Sequence, residues 1–291
     1  MLNKADITEN LKNTVYFLSK EIGPRPYSNL NALNKTSDYI SASLKSYGYD
    51  VSYQPYKYKG NNYKNIYTEI KGNKTPEISI VIGAHYDTVS TTPGADDNSS
   101  GVAGLLEIAR LLENSTFDKT IRFVAFTLEE PPAFMTKNMG SYVYAKSLKE
   151  NNENVELMIC LEMIGYFSKK QKYPLPVLKW FYPHEGDFIL LAGDTNSQHS
   201  ISKVKNGFRK GTVMPVESIT APRFIPGIDF SDHRSFWKFG YNAIMVTDTA
   251  FYRNPNYHRS TDTPETLDYD SITEVVLGLK SAICEIANIK M

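Results

Sequence analysis

The most constraining feature of this chain is a nearly continuous apolar run, Ile78, Ile80, Val81 and Ile82, which ends in Gly83-Ala84-His85-Tyr86-Asp87. A strand that is apolar on both faces must be covered on both faces, so helices are needed above and below its sheet. Apolar spacing predicts those helices over Ile7–Ile22, Leu33–Tyr47, Ser99–Leu112, Ser141–Leu148 and Ser271–Asn288. Asp6 with Glu9 and Ser271 with Glu274 read as capping pairs. Further strands are predicted over Asp50–Tyr56, Asn65–Ile70, Ile121–Thr127, Val155–Glu162, Phe188–Ala192, Thr212–Val216 and Ala243–Thr247, with the first apolar run extended to Ile78–His85. Alternating strands and helices imply an α/β fold with one open sheet. The 291 residues suit a single domain, 1–291. Lys169–Tyr182 is polar, contains proline and reads as a surface insertion.

Composition excludes several classes. Lys+Arg and Asp+Glu are 32 each, so no net positive charge favours nucleic acid. No apolar run approaches the ~20 residues of a membrane-spanning helix. The segment Met1–Asn10 has the wrong composition for a secretory signal. Cys160 and Cys284 form no disulfide framework and read as small buried apolar residues. A cytoplasmic protein is expected, with a secreted one whose signal has been removed as the alternative.

In open α/β sheets functional groups collect beyond the C-terminal ends of the strands. His85 and Asp87 sit at such an exit, as a ligand with its orienter or as an ordinary strand-end pair. Gly94-Ala95-Asp96-Asp97-Asn98-Ser99-Ser100-Gly101 leads into a helix. It suits a turn and cap, but two adjacent carboxylates also invite a cation. Glu129 and Glu130 end a strand before Pro131-Pro132, so one could ligate and the other act as general base. Glu162 closes another strand, and His258 lies in a polar loop. Together His85, Asp97, Glu130, Glu162 and His258 make a nitrogen and oxygen donor set for two zinc-like ions that share a carboxylate. The absence of Cys from that set favours Zn, Mn or Co.

The ordered set His85-Tyr86-Asp87, Gly94-Ala95-Asp96-Asp97-Asn98, Glu129-Glu130, Leu161-Glu162-Met163-Ile164-Gly165 and Tyr257-His258 resembles the co-catalytic di-zinc exopeptidases. These include bacterial zinc aminopeptidases, glutamate carboxypeptidase II and, more distantly, glutaminyl cyclases. The resemblance runs from Ile22-Gly23-Pro24-Arg25 to the last helix. It implies a three-layer α/β/α sandwich around a mixed, mostly parallel sheet of about eight strands. It also implies that Asp97 bridges two zinc ions, that His85 and Glu162 complete one site, and that Glu130 and His258 complete the other. Asp87 would orient His85, and Glu129 would be the general base. Glu162 departs from the Asp found in many members. Its extra methylene shifts the carboxylate, so one zinc rather than two is the alternative occupancy.

The resemblance implies a metallopeptidase acting on a peptide with a free N-terminus, most simply an aminopeptidase. A one-zinc glutaminyl cyclase, a carboxypeptidase and a non-catalytic binding module are the rivals. A carboxypeptidase would need a cation for the substrate carboxylate, with Arg209, Arg223, Arg234, Arg253 and Arg259 as candidates. Asp232 and His233 read as substrate-binding residues or as part of a helix cap, while Tyr252 and Tyr257 could hydrogen-bond the reacting carbonyl. Substrate preference is expected to lie in Pro131–Met139, Pro222–Phe230 and Phe251–Tyr257. Oligomeric state is not readable from these features.

Overall fold

A computed structural model describes residues 3–288. The first two residues of Met1–Asn10 and residues 289–291 of the expected domain lie outside the described residues. In chain order the elements are α1 (Lys4–Tyr16, continued by a wider turn Phe17–Ile22), α2 (Leu30–Ser46), β1 (Ser52–Tyr58), β2 (Asn61–Ile70) and β3 (Thr75–His85). The turn Ala95–Ser100 precedes α3 (Gly101–Leu112), β4 (Lys119–Phe126), α4 (Gly140–Glu150) and β5 (Asn154–Leu161). Then follow β6 (Ile189–Gly193), α5 (Gln198–Gly211), β7 (Val216–Thr220), α6 (His233–Lys238), β8 (Ala243–Thr247) and α7 (Tyr269–Ala287).

The eight strands form one mixed sheet in the order β1-β2-β4-β3-β5-β8-β6-β7. Strands β4, β3, β5 and β8 run parallel, with Ala84 opposite Ala125, Gly83 opposite Cys160 and Leu161 opposite Val246. That register brings four C-terminal strand ends to one edge. The alternation of side chains explains the two layers of helix. Ile80, Ile82, Ile159 and Leu161 join α1, α2, α3, α5 and α7 in one core. Val81, Met158 and Cys160 face the other way, against Tyr144 of α4 and Phe236 of α6. Each strand residue in these runs is covered on its own face, which is what the continuous apolar run required.

Several boundaries differ from the sequence expectation, for local reasons. The strand expected at Thr212–Val216 is β7 at Val216–Thr220, because the preceding residues end α5 and Val213 is exposed. Helix α5 itself was not predicted, since its apolar positions Ile201, Val204 and Phe208 are set among Ser, Asn, Lys and Gly. Short α6 was likewise not predicted. The caps also move. Asn3, not Asp6, caps α1, accepting from the Ala5 N–H. Asp268, not Ser271, caps α7, accepting from the Ser271 N–H, while Glu274 instead pairs with Lys4 and Thr212. Cys160 is buried as expected, whereas Cys284 is only partly covered.

Candidate metal centre

The parallel register delivers the ligand-type residues to one place. His85 Nε2 lies 3.5 Å from Asp97 Oδ1 and 3.2 Å from Glu162 Oε2. His258 Nε2 lies 3.2 Å from Asp97 Oδ2 and 3.4 Å from Glu130 Oε1. Two triads result, His85-Asp97-Glu162 and Asp97-Glu130-His258, joined through the two oxygens of Asp97. Atoms bound about 2 Å from one tetrahedral zinc lie about 3.3 Å apart, and these spacings match that value. The buried atoms His85 Nε2 and Glu130 Oε1 have no hydrogen-bond partner. A buried polar atom left unpaired requires an explanation, and a shared cation supplies one. The donor set therefore fits zinc.

The turns carrying these ligands are held by groups further out. The Asp87 carboxylate accepts from the Glu129 N–H at 3.0 Å and the Glu130 N–H at 3.1 Å. Its link to His85 runs mainly through the main chain. His85 Nδ1 is 3.2 Å from the Asp87 carbonyl oxygen and 3.7 Å from Oδ1. Donation from Nδ1–H to that carbonyl leaves the Nε2 lone pair available to a cation. Asp262 holds the other turn in the same way, accepting from the N–H groups of Asp96 and Asp97 at 2.9 and 3.2 Å. Asn98 donates to the Leu161 carbonyl and accepts from Met163 N–H, tying that turn to the exit of β5. Arg25 is fully buried and donates to the carbonyls of Leu18, Gly23, Tyr86, Pro93 and Gly94 and to Ser99 Oγ. Asp96 accepts from Gly165 N–H and Asn254 Nδ2. Sequence reasoning assigned no role to Asp262, Arg25 or Asn254, and it read Asp96 and Asn98 only as parts of a turn and cap or of a carboxylate pair inviting a cation. The only local signals were the Gly-Pro-Arg turn and the polarity of the two loops.

Burial and charge crowding shift both histidines and the two adjacent glutamates. Burial pulls the His85 imidazolium down, but Glu162 and Asp87 more than reverse this and hold it well above the ordinary range. Burial likewise lowers His258, and Asp97 and Glu130 raise it to about 10. Glu130 is pushed up to about 7 by burial and by Asp97. Glu129 is raised well above its usual value by burial, against the pull of His85, with Glu130 and Glu162 adding to the rise. The Glu129 carboxylate makes no hydrogen bond to another described residue. Glu162 Oε2 accepts from Ser231 Oγ at 2.6 Å, and Ser231 Oγ lies 3.2 Å from Cys160 Sγ.

Beside Glu162 and Tyr257 opens an apolar cleft of about 420 Å³. Its lining includes Pro222–Phe230 positions and Phe251, Tyr252 and Tyr257, from two of the three segments where substrate preference is expected. It does not include Pro131–Met139. The segment read as a surface insertion supplies Tyr173, Leu175, Leu178 and Tyr182 instead. Tyr257 stacks on the His258 ring, with centroids 3.8 Å apart. The Tyr252 hydroxyl donates to the Pro226 carbonyl at 3.3 Å. His233 is not brought to the cleft. Its Nε2 bonds the Ile228 carbonyl at 2.7 Å and its ring packs edge-on against Trp237, because it begins α6 facing the core. Asp232 also stays out of the lining. It makes no side-chain cap, both its oxygens are buried without a partner, and burial raises its carboxyl to about 7. None of the five candidate arginines lines the cleft, where Lys172 is the one basic residue. Arg223 pairs with Asp194 and Arg234 with Asp229, and Arg253 donates to Gln171 and to the Phe188 carbonyl.

Comparison with known proteins places this geometry in context. The sequence profile of peptidase family M28 matches residues 65–282. An uncharacterised Escherichia coli protein, YfbL, is 43% identical over 282 residues, covering 93% of this chain and 86% of YfbL. A probable leucine aminopeptidase of Trichophyton verrucosum is 29% identical over 77% of this chain, which spans 58% of that relative's length. A solved zinc aminopeptidase from Bacillus subtilis superposes with a TM-score of 0.78 at 16% identity, covering 97% of this chain and 95% of that one. At that identity the superposition shows the shared fold.

Proposed function

This chain belongs to peptidase family M28, and from that premise we propose that it removes N-terminal residues from peptides as an aminopeptidase. It is a metallopeptidase with zinc as its metal. The observation that carries the reading is the pair of ligand triads sharing Asp97, beside a carboxylate that no other protein group occupies, Glu129. His85, Asp97 and Glu162 would hold one ion, and Asp97, Glu130 and His258 the other. When bound, two zinc ions supply Lewis acidity to the scissile carbonyl and to the attacking water.

The chain's own residues provide the rest. Glu129 takes a proton from the water and delivers it to the departing amine. Burial, first among the causes, raises its affinity for protons above that of an ordinary carboxylate, as suits a group that must carry a proton from the water to the amine. Asp87 fixes the Glu129 main chain and so the reach of that carboxylate. Glu162 both belongs to a triad and lines the cleft, and this supports a contact with the substrate ammonium while the first side chain enters the cleft. The Tyr257 ring, stacked on His258, lines the same cleft, and its hydroxyl can donate to the substrate carbonyl oxygen. The cleft offers no arginine for bidentate pairing with a C-terminal carboxylate, only the single ammonium of Lys172, whereas the carboxylate Glu162 lines it and suits a free amine. A cytoplasmic setting is part of this reading, supported by two free thiols.

The test is hydrolysis of aminoacyl p-nitroanilides by the zinc-loaded protein beside their N-acetylated counterparts. Release from the free amines alone is expected. Equal release from acetylated substrates, or cyclisation of N-terminal glutamine without hydrolysis, would contradict the proposal.

A further inference from the structure

The cleft beside Glu162 is larger than a leucine side chain needs. Its volume is about 420 Å³, whereas an apolar cavity of about 150 Å³ already accepts benzene. The floor is the outer part of the sheet: Leu190 and Ala192 of β6, Ile219 of β7, and Met245 and Thr247 of β8. Ala192, Ala221 and Gly227 line it with little side-chain bulk, so the space is not filled from below. Rings stand around it, including Tyr173, Tyr182, Phe188, Phe230, Phe251 and Tyr257. A four-carbon side chain would leave most of this volume empty and would forfeit dispersion contacts on its open sides. An aromatic ring would fill more of it and would meet other rings edge-on, a geometry worth about 0.5–1.5 kcal/mol beyond area burial.

The wall is also fixed before any ligand arrives. The segment 168–186 closes on itself through paired main-chain bonds between Ser168 and Gly186, at 3.0 and 2.7 Å. Gln171 N–H donates to the His184 carbonyl and Lys172 N–H to the Tyr252 carbonyl, at 3.0 and 3.1 Å. The Tyr173 hydroxyl donates to the Pro183 carbonyl and the Tyr182 hydroxyl to the Ser218 carbonyl. Buried Gln171 donates to Thr249 Oγ1 at 2.9 Å and accepts from Arg253 Nε at 2.7 Å. The two stems of the wall are tied to each other and to Ser218, Thr249, Tyr252 and Arg253, so closing the cleft at its base onto a small side chain would break these bonds. The same segment and the loop opposite carry the exposed side chains of Trp180, Phe181 and Phe224, which extend the apolar surface outward.

We infer that this cleft selects peptides whose first residue is a large aromatic one, phenylalanine or tryptophan, over leucine. The inference rests on the aminopeptidase reading and specifies its substrate class. Ile219 is the residue placed to set the limit, because it stands on edge strand β7 at the cleft floor and is only partly buried.

Two measurements test it. For the zinc-loaded protein, kcat/KM for phenylalanyl and tryptophanyl p-nitroanilide should exceed that for the leucyl compound by at least about tenfold, the lower end of what one methylene contributes in an apolar pocket. Calorimetric binding of L-phenylalaninamide to the zinc-loaded Glu129→Ala variant, which should not hydrolyse it, should be tighter than that of L-leucinamide. The Ile219→Trp variant should cut the phenylalanyl-to-leucyl ratio at least tenfold. Equal or better use of leucine, no difference in amide affinity, or an unchanged ratio in Ile219→Trp would overturn the inference. The affinity order without any turnover would support the cleft and remove the aminopeptidase reading, so the two stand or fall separately.

Discussion

Glu162 has one methylene more than the aspartate found at this position in many resembling enzymes, and an additional rotatable bond with it. The structure compensates with Ser231, whose hydroxyl is 2.6 Å from Glu162 Oε2. An outer partner of a metal ligand typically contributes 10–100-fold in affinity. Ser231→Ala should therefore weaken zinc binding at the His85-Glu162 site by roughly 10–100-fold, with the second ion retained and Ser231→Thr close to wild type. Chelator competition measures this, and equal loss of both ions would contradict it. Glu129 makes the opposite prediction. Glu129→Ala should lower kcat by roughly 10²–10⁴-fold and leave zinc content unchanged; metal loss would show that Glu129 is a ligand. His85, Glu130 and Glu162 were legible because each follows an apolar strand run, and Asp97 and His258 because each sits in a short polar loop rich in turn residues. Asp262 and Arg25 were not, because their work is done on main-chain groups distant in sequence. Asp262 clamps Asp96 and Asp97, and Arg25 binds carbonyls from Leu18 to Gly94.

At the scale of elements, the least legible contact is the one between α5 and α7. Helix α5 has too few apolar residues to announce itself, yet it packs very closely. A Cβ at Gly207 would lie 2.6 Å from Ala282 Cα, and one at Gly278 would lie 2.5 Å from the Phe208 ring. In an open helix Gly→Ala stabilises by about 1 kcal/mol. Here Gly207→Ala should instead destabilise by about 1–3 kcal/mol, since a backbone atom must move. Urea denaturation decides the sign. The central strands were legible because burial on both faces leaves a run that composition alone can show. Strand β7 was displaced by four residues because an edge strand carries little of that signal, and its burial is mostly partial. The insertion 169–182 was read as surface because its sequence is polar, although its inner side walls the cleft.

Across the whole molecule, titratable groups lie well inside the fold, and one of them links stability to pH apart from the metal. Burial lowers His233 from 6.5 to about 4. The unfolded chain then binds a proton that the folded chain refuses between these values. The contribution of neutral His233 is complete above about pH 6.5 and is lost as pH falls toward 4, by about 3 kcal/mol in all. His233→Gln should remove that part of the acid sensitivity. Denaturation midpoints of metal-free protein at pH 7 and 4.5 would show a smaller drop for the variant than for wild type, and identical drops would contradict the assignment. No helix among the described residues is long and apolar enough to cross a membrane. The overall sheet order could not be read from periodicity, because it is set by which strands pair, not by what each strand contains.

The central claim is that one carboxylate, Asp97, joins two metal sites. Elemental analysis of gently purified wild-type protein and of Asp97→Ala tests it most directly. Two zinc ions per wild-type chain, lost to a chelator, and loss of both in the variant are expected. A single ion in wild type, or an Asp97→Ala variant that keeps one at full affinity, would contradict it.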